Sequence, residues 1–354
     1  MASRKQRIEK MIEHLRSCDR VWIATHDNPD PDGLASAFAL RHLLRCGDNG
    51  EEKVPVEIST GGIIGRAENR ALFNYLNVRI TPFENLTPDD DPAVVLVDTQ
   101  PKRANNSVPD WVVPRAIIDH HPDWGTSKKV PFKDIRPNYG ATSTILTEYL
   151  RMSGLPLDRK MATVLFYGIA SETQELGREP TRADMRAHKY LYPLADPTRL
   201  SRIERARVPR DYFRIFRLAI ERGRIHGPLV ISWLGPVEYP DMVAEVADFL
   251  MRLDEIQTSI CLGRYDEDFF ISLRTLNGKL NASQVMNKAL RGIGSGGGHE
   301  GMAGGKAALA GLPEGTVTEK AANLKNRFLK VLGQPEDDGE RMFVPAEKSA
   351  NGQG

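Results

Sequence analysis

The residues best suited to chemistry form one octapeptide, His26-Asp27-Asn28-Pro29-Asp30-Pro31-Asp32-Gly33, placed where the apolar run VWIAT gives way to a helical pattern. It gathers an imidazole and the carboxylates of Asp30 and Asp32 into a tight turn. Pro29 and Pro31 restrict the backbone to extended and turn conformations, so the two carboxylates, two residues apart, project to one side. Hard oxygens beside an imidazole suit manganese, magnesium or zinc rather than a metal that prefers thiolates. The plainer alternative is an acidic turn that caps the following helix. A calcium loop starting at Asn28 fails, because its twelfth position is Ala39 and not the bidentate Glu such a loop requires.

Two more groups share this placement. Asp98 ends the apolar run AVVLVDT, and Asp119-His120-His121 ends AIIDHH. Burying such residues unpaired is expensive, so each needs a partner. A lone strand-end Asp is most often a cap or turn residue, but three polar strand ends in succession point to one crevice. In an open parallel sheet, ligands bind at the carboxyl ends of the strands, near the point where strand order reverses.

Positioning these groups takes strands that end together. The runs VWIATH, VPVEIST, AVVLVDT and AIIDHH alternate with the helical patterns GLASAFALRHLLRC and AENRALFNYL, and ATSTILTEYLRMSG, KMATVLFYGIASET and TRADMRAHKYLYPL follow. That order predicts an α/β fold with a mostly parallel sheet flanked by helices. From Asp196 onward, Arg199, Arg202, Arg205, Arg207, Arg210, Arg214, Arg217, Arg222 and Arg224 face only Glu204, Asp211 and Glu221. This stretch reads as a connector with a solvated helix face, and the alternative is a set of guanidiniums aimed at phosphates in an interdomain cleft. A second, smaller α/β domain begins with GPLVISWLG and MVAEVADFLMRLDE. TSICLGRY and DFFISLRT then form a hairpin, and ASQVMNKALRG leads to a glycine-rich loop, a strand and a last helix. In that loop Gly294, Gly296, Gly297 and Gly298 precede His299, with Gly304 and Gly305 beyond it. Its amides could approach phosphate oxygens, although a linker is the plainer reading. Gly305-Lys306 lacks the glycine spacing and the Ser or Thr of a P-loop. The expected divisions are residues 1–195, a connector over 196–225, the smaller domain over 226–335, and a mobile tail over 336–354.

Composition restricts the function. A chain of 354 residues, 40% hydrophobic and 27% charged, suits two globular domains. Its net charge of +1 offers no global field for gripping duplex DNA, and small phosphorylated substrates stay open. No apolar run approaches the roughly 20 residues needed to span a bilayer. The charge-rich N-terminus lacks a secretory core, which leads to a cytoplasmic expectation. Cys18, Cys46 and Cys261 are odd in number and lack metal-ligand spacing, as expected of reduced thiols.

HDNPDPDGLAS, VLVDT, IDHHP, GATST and YGIASET, in this order, resemble the motifs of the DHH phosphoesterase family, and SLRT with GGGHEGMAGG is similar to the DHH-associated C-terminal domain. The resemblance spans residues 20 to 310 and is strongest to bacterial oligoribonucleases and 3′-phosphoadenosine-5′-phosphate phosphatases. It implies an active site in the cleft between two domains and two divalent metal ions, manganese by preference. His26 and Asp30 would hold one ion, Asp32 and His120 the other, and Asp98 would bridge them. His121 would face the scissile phosphate, oriented by Asp119. Arg274, Gly297, Gly298 and His299 would bind the substrate. One position departs from the pattern: where the family has aspartate in a GI(T/S)DT segment, this chain has Glu172, which keeps the charge on a longer stem. Glu172 therefore ligates from farther back, binds bidentately, or misses the second metal. The next segment also lacks the aromatic-arginine pair of the oligoribonucleases, with Arg178 as a substitute. The resemblance implies hydrolysis of very short RNAs or dinucleotides. Alternatives are 3′-phosphoadenosine-5′-phosphate, cyclic dinucleotides, pyrophosphate as the less favoured substrate, or a nucleotide-binding protein with impaired catalysis. A homodimer is compatible with all of them.

Overall fold

The computed structural model describes residues 4–46, 53–88, 91–103, 105–177 and 180–343. Arg178 and residues 344–354 of the expected tail lie outside the described residues. Within the described chain two compact units meet between Arg207 and Val208.

The first unit opens with α1 (Arg4–Arg16), whose buried Ile8, Met11, Ile12 and Leu15 recur at helical spacing. β1 (Val21–Ala24), β2 (Val56–Ser59), β3 (Ala93–Val97), β4 (Ala116–Asp119) and β5 (Phe132–Ile135) form a five-stranded sheet in the order β2-β1-β3-β4-β5. Every pairing is parallel. Strand order therefore reverses between β1 and β3, which is where such sheets place their ligands. α2 (Pro31–Arg45) and α3 (Ala67–Leu76) lie in the β1–β2 and β2–β3 connections, whereas β3, β4 and β5 are joined without an α-helix. β5 has no counterpart in the sequence reading. Its FKDI carries two charges and is only partly buried, so no apolar run announces it.

α4 (Thr142–Ser153), α5 (Arg159–Glu172), α6 (Arg182–Leu191) and α7 (Pro197–Glu204) complete the unit. The main core joins one sheet face, through Val21, Ile23, Val95 and Ile118, to the helices. The other face packs Trp22, Val94, Leu96 and Ile117 against Phe83, Leu86 and Val130. α2 packs on both α4 and α5. Gly168 permits this: a Cβ there would stand 2.4 Å from Ser143 Oγ and 3.0 Å from Ala35 Cβ. The glycine lets α5 close in and carry Glu172, its last residue, toward the sheet's carboxyl edge.

The arginine-rich stretch is not one connector. α7 buries Leu200 and Ile203 in the first unit's core, whereas α8 (Arg210–Arg222) buries Ile215 and Ala219 in the second unit. There β6 (Arg224–His226), β7 (Leu229–Pro236), α9 (Met242–Leu250), β8 (Thr258–Tyr265), β9 (Asp268–Thr275), α10 (Ala282–Ala289), β10 (Gly294–Gly298), β11 (Met302–Ala308), α11 (Val317–Val331) and β12 (Glu340–Arg341) follow. The sheet order is β10-β11-β9-β8-β7-β6-β12, and only the β7–β8 pairing is parallel. Two expectations change. The glycine-rich segment is an edge strand and not a flexible loop, because its missing side chains make room for α10. A Cβ at Gly296 would lie 2.5 Å from Met286 Cγ, and one at Gly305 would lie 2.4 Å from Leu290 Cδ1. Within the expected tail, Glu340 and Arg341 pair with β6, and Asp337 lies 3.3 Å from His226 Nδ1. No helix among the described residues is long and apolar enough to cross a membrane.

Candidate metal centre

The carboxyl ends of β1, β3 and β4 bring together the residues that the sequence separates by about a hundred positions. Asp30 caps α2, accepting from Gly33 N at 2.9 Å, so the helix-capping role considered for it is real. The same oxygen lies 3.6 Å from His26 Nε2. Asp98, which follows β3, adopts φ +60, a left-handed conformation that a non-glycine residue holds only at some cost. That conformation turns its carboxylate between two imidazoles: Oδ2 is 3.6 Å from His26 Nε2 and Oδ1 is 3.5 Å from His120 Nε2. Thr142 Oγ1 donates to Oδ1 at 2.9 Å. Asp32 is fully buried, and its two oxygens accept the backbone N–H groups of Thr142 and Ser143 at the start of α4, each at 2.7 Å. Oδ2 of Asp32 still lies 4.0 Å from His120 Nε2. Two helix N-termini thus stabilise the carboxylates.

The imidazoles are oriented by the backbone. His26 Nδ1 lies 2.9 Å from the Asp27 carbonyl and His120 Nδ1 lies 3.2 Å from the Tyr139 carbonyl. A carbonyl only accepts, so each Nδ1 carries the hydrogen and each Nε2 is the atom aimed at carboxylate oxygens. In neutral rings this sets lone pair against lone pair, an arrangement that a cation resolves. Among the described residues two overlapping groups meet the geometric requirement for one, His26-Asp30-Asp98 and Asp98-His120-His121, and within each the donor atoms lie within 4.8 Å of one another. Asp98 belongs to both. The donors present, nitrogen and hard oxygen, fit manganese or magnesium.

His121 differs from its neighbour. Its Nδ1 lies 2.8 Å from Asp119 Oδ1, and Asp119 is fully buried, with Gln100 Nε2 donating to its other oxygen at 2.7 Å. Burial alone would raise the Asp119 carboxyl, but the His121 hydrogen bond and charge hold it below its usual range. Glu172 lies close enough for its charge to raise both His26 and Asp98. In the second unit, Arg274 pairs with Asp248 and donates to Ser272 Oγ at 2.8 Å. Gly297 pairs with Gly304, and a Cβ at either would meet nothing within 4 Å, so one face of this ribbon is bare backbone. Gly298 ends β10, and exposed His299 donates its N–H to the Met302 carbonyl at 2.7 Å in the hairpin turn.

Sequence reasoning missed the residues that support this centre. Thr142, Ser143, Gln100 and Asp184 are ordinary in sequence. Asp184, fully buried, accepts from Thr144 Oγ1 at 2.6 Å and Gly140 N at 2.8 Å, and so fixes the entry to α4. The GATST run at Gly140–Thr144 was the one available signal.

The model for the DHH family, N-terminal domain, matches residues 20–169, and the DHHA1 domain model matches residues 226–334. An uncharacterized protein of Methanocaldococcus jannaschii is 32% identical over 348 residues, covering 95% of this chain and 68% of that protein. The chain belongs to the DHH family. A Bacillus licheniformis protein named "Probable manganese-dependent inorganic pyrophosphatase" is 28% identical over 178 residues, half of this chain and 55% of that one. Among solved structures, the DHH fold matches an exopolyphosphatase-related protein from Bacteroides fragilis with TM-score 0.70 and 16% identity, covering 92% of this chain and 96% of that one. Exonuclease RecJ bound to manganese matches with TM-score 0.51 and 14% identity, covering 94% and 95%. This DHH-family phosphoesterase gathers acidic and histidine residues at the switch point of its parallel sheet.

Without metal, this concentration of charge has a measurable consequence. Burial and the Asp30 charge push Asp32 up to about 7 from 3.8. Burial disfavours a charged His26, yet the charge and hydrogen bond of Asp30 raise it to about 9 from 6.5. In both cases the folded state holds a proton that the unfolded state has already lost, so stability falls as pH rises toward the folded value. His120 acts in the opposite sense, since burial and His121 lower it to about 4, but its window closes at 6.5. From pH 6.5 to 9 the metal-free protein is expected to lose on the order of a few kcal/mol. Melting temperatures in a chelator should fall across this range, and added manganese should raise them most at the alkaline end. A chelated protein whose melting temperature does not change with pH would contradict the charge assignment.

Proposed function

We propose that this DHH-family protein is a two-metal phosphodiesterase that hydrolyses very short oligoribonucleotides or dinucleotides to mononucleotides. The observation that carries the reading is Asp98 set between the Nε2 atoms of His26 and His120, beside the buried Asp119 that pairs with His121. His26, Asp30, Asp98, Asp32, His120 and Glu172 would hold the ions. When bound, a pair of divalent cations supplies Lewis acidity and a water of lowered pKa. The protein's own contribution is positional. Asp119 fixes the His121 tautomer by accepting from Nδ1, which turns Nε2 toward the substrate. From there His121, held in place by Asp119, donates a proton to the leaving oxygen. Arg274, Gly297, Gly298 and His299 are the candidate substrate contacts of the second unit, with Arg274 exchanging part of its Asp248 pairing for phosphate.

A second reading, hydrolysis of pyrophosphate, is favoured by the pyrophosphatase relatives. The phosphodiester reading is preferred because SLRT and GGGHEGMAGG of the second unit resemble the nucleotide-handling branch of the family, whereas the pyrophosphatase match spans half of the chain. The test is incubation with manganese and a panel of the dinucleotide pApA, 3′-phosphoadenosine-5′-phosphate, a cyclic dinucleotide and pyrophosphate. Release of AMP from pApA is expected, and activity confined to pyrophosphate would overturn the choice.

Glu172 separates an enzyme from an impaired nucleotide-binding protein. If Glu172 is a ligand, Glu172→Gln should lower kcat by about 100-fold and Glu172→Asp should remain active. Wild-type turnover in Glu172→Gln would remove it from the ligand set. A wild-type chain that binds nucleotides without hydrolysing any of the panel would support the impaired-protein reading.

A further inference from the structure

The loop that follows Asp98 carries a cation whose donors have no partner among the described residues. Arg103 is half-buried, its Nε is inaccessible to solvent, and among the described residues nothing accepts a hydrogen bond from its guanidinium. Instead the guanidinium lies over the indole of Trp124, 3.9 Å from the ring centroid. Trp124 is 40% exposed, and its ring centroid is 5.9 Å from that of His121. The array Arg103, Trp124, His121 therefore leads directly into the centre.

Both members are held in place. Gln100 accepts from Trp124 N at 3.3 Å and donates to Asp119 and to the Pro122 carbonyl, so Trp124 is coupled to the same buried carboxylate that orients His121. On the other side, Asp27, next to His26, accepts from both Ser107 N and Ser107 Oγ, at 2.9 and 2.7 Å, and anchors the far end of the loop.

A guanidinium stacked on an aromatic face loses little freedom on binding, and its N–H fork stays in plane for an oxyanion. Burying such a group without an acceptor is unfavourable unless a ligand provides one. Base stacking is the weaker assignment for Trp124, because Arg103 covers one indole face and His121 adjoins the ring.

We propose that Arg103, stacked on Trp124, is a phosphate subsite for the substrate phosphate adjacent to the one being cleaved. In a dinucleotide this is the 5′-terminal phosphate. The assignment rests on the phosphodiesterase reading, and it makes Arg103 a specificity-determining residue.

The test compares pApA with ApA, which lacks the 5′ phosphate, in the full-length manganese-loaded protein. Wild type should prefer pApA through KM, and Arg103→Gln should reduce that preference in kcat/KM by about 10-fold or more, with Arg103→Lys intermediate. If Arg103 only braces the Trp124 wall, both substrates suffer alike and the ratio stays at its wild-type value, which overturns the subsite. A wild type that cleaves neither substrate defeats the phosphodiesterase reading and not the subsite. Calorimetric titration of the metal-free protein with pApA then decides Arg103: about 10-fold weaker binding by Arg103→Gln supports it, and no difference from wild type overturns it.

Discussion

Asp98→Asn is expected to reduce phosphoester hydrolysis by about three orders of magnitude and to raise the melting temperature of the metal-free protein. The two effects have one cause. Asp98 is buried among Asp32, Asp30, Asp119 and Glu172, and its carboxyl is pushed well above its ordinary range, first by burial and then by these like charges. At neutral pH the folded protein must therefore keep the group protonated or sustain the repulsion, a penalty that the unfolded chain does not have. Asparagine removes it. The substitution is otherwise conservative. Asparagine tolerates φ +60 well, and its Oδ1 can keep the hydrogen bond from Thr142 Oγ1. What is lost is the negative charge shared by both candidate ligand groups, and loss of about 4 kcal/mol of transition-state stabilisation corresponds to the stated rate change. Scanning calorimetry in a chelator at pH 8 should show a gain of several degrees. A lower melting temperature, or hydrolysis within tenfold of wild type, would show that Asp98 is a structural residue.

The second large effect belongs to Arg136, only 5% exposed, at the end of β5. Its guanidinium donates to both oxygens of Asp134, with Nε–Oδ1 at 2.8 Å and Nη2–Oδ2 at 2.5 Å, and Nη1 donates to Glu148 at 2.6 Å. Tyr149 and Tyr139 donate their hydroxyls to the same two carboxylates. Burial opposes the charge of Arg136, but Asp134 and Glu148 hold it firmly protonated. Arg136→Met leaves two carboxylates without their cation and should destabilise the first unit by about 3–5 kcal/mol. Activity should fall as well. The Arg136 N–H donates to the Asp119 carbonyl, and Tyr139, whose N–H donates to the Arg136 carbonyl, supplies the carbonyl that orients His120. The combined variant Arg136→Met, Asp134→Asn, Glu148→Gln removes the charges together and should recover most of the urea midpoint. A single substitution within 1 kcal/mol of wild type, or a triple variant no better than the single one, would refute this account.

Both arguments rest on contacts that differ in how far the sequence reveals them. Asp98 was legible because a run of five fully buried residues stops on it, and a charge at the end of such a run must be satisfied somewhere. Nothing local distinguishes Arg136. It follows a strand too polar to be recognised, and its partners include Glu148, twelve residues away on a helix. Glu172 lies between the two. Its place in the YGIASET segment marked it, but whether a longer stem still reaches the centre depends on how closely α5 packs, which Gly168 and the side chains beneath it decide.

What the sequence determined by itself was the periodic part: the alternating strands and helices, the β8–β9 hairpin at its observed bounds, and the polar residues that end three buried strands. These follow from local propensity and from the cost of burying charge, and both are readable within a window of a few residues. The tertiary structure alone decided which atoms meet. The parallel order that sets β1 beside β3 brings His26 to Asp98, and α4 presents its first amides to Asp32. The glycines of the second unit form an edge strand because α10 packs on them, and Arg103 rests on Trp124 because Asp119 and Asp27 anchor the segments that carry them. Such pairings join residues far apart in the chain, and their energies depend on distance and burial. The octapeptide His26–Gly33 named the chemistry, and the fold turned those residues toward one point.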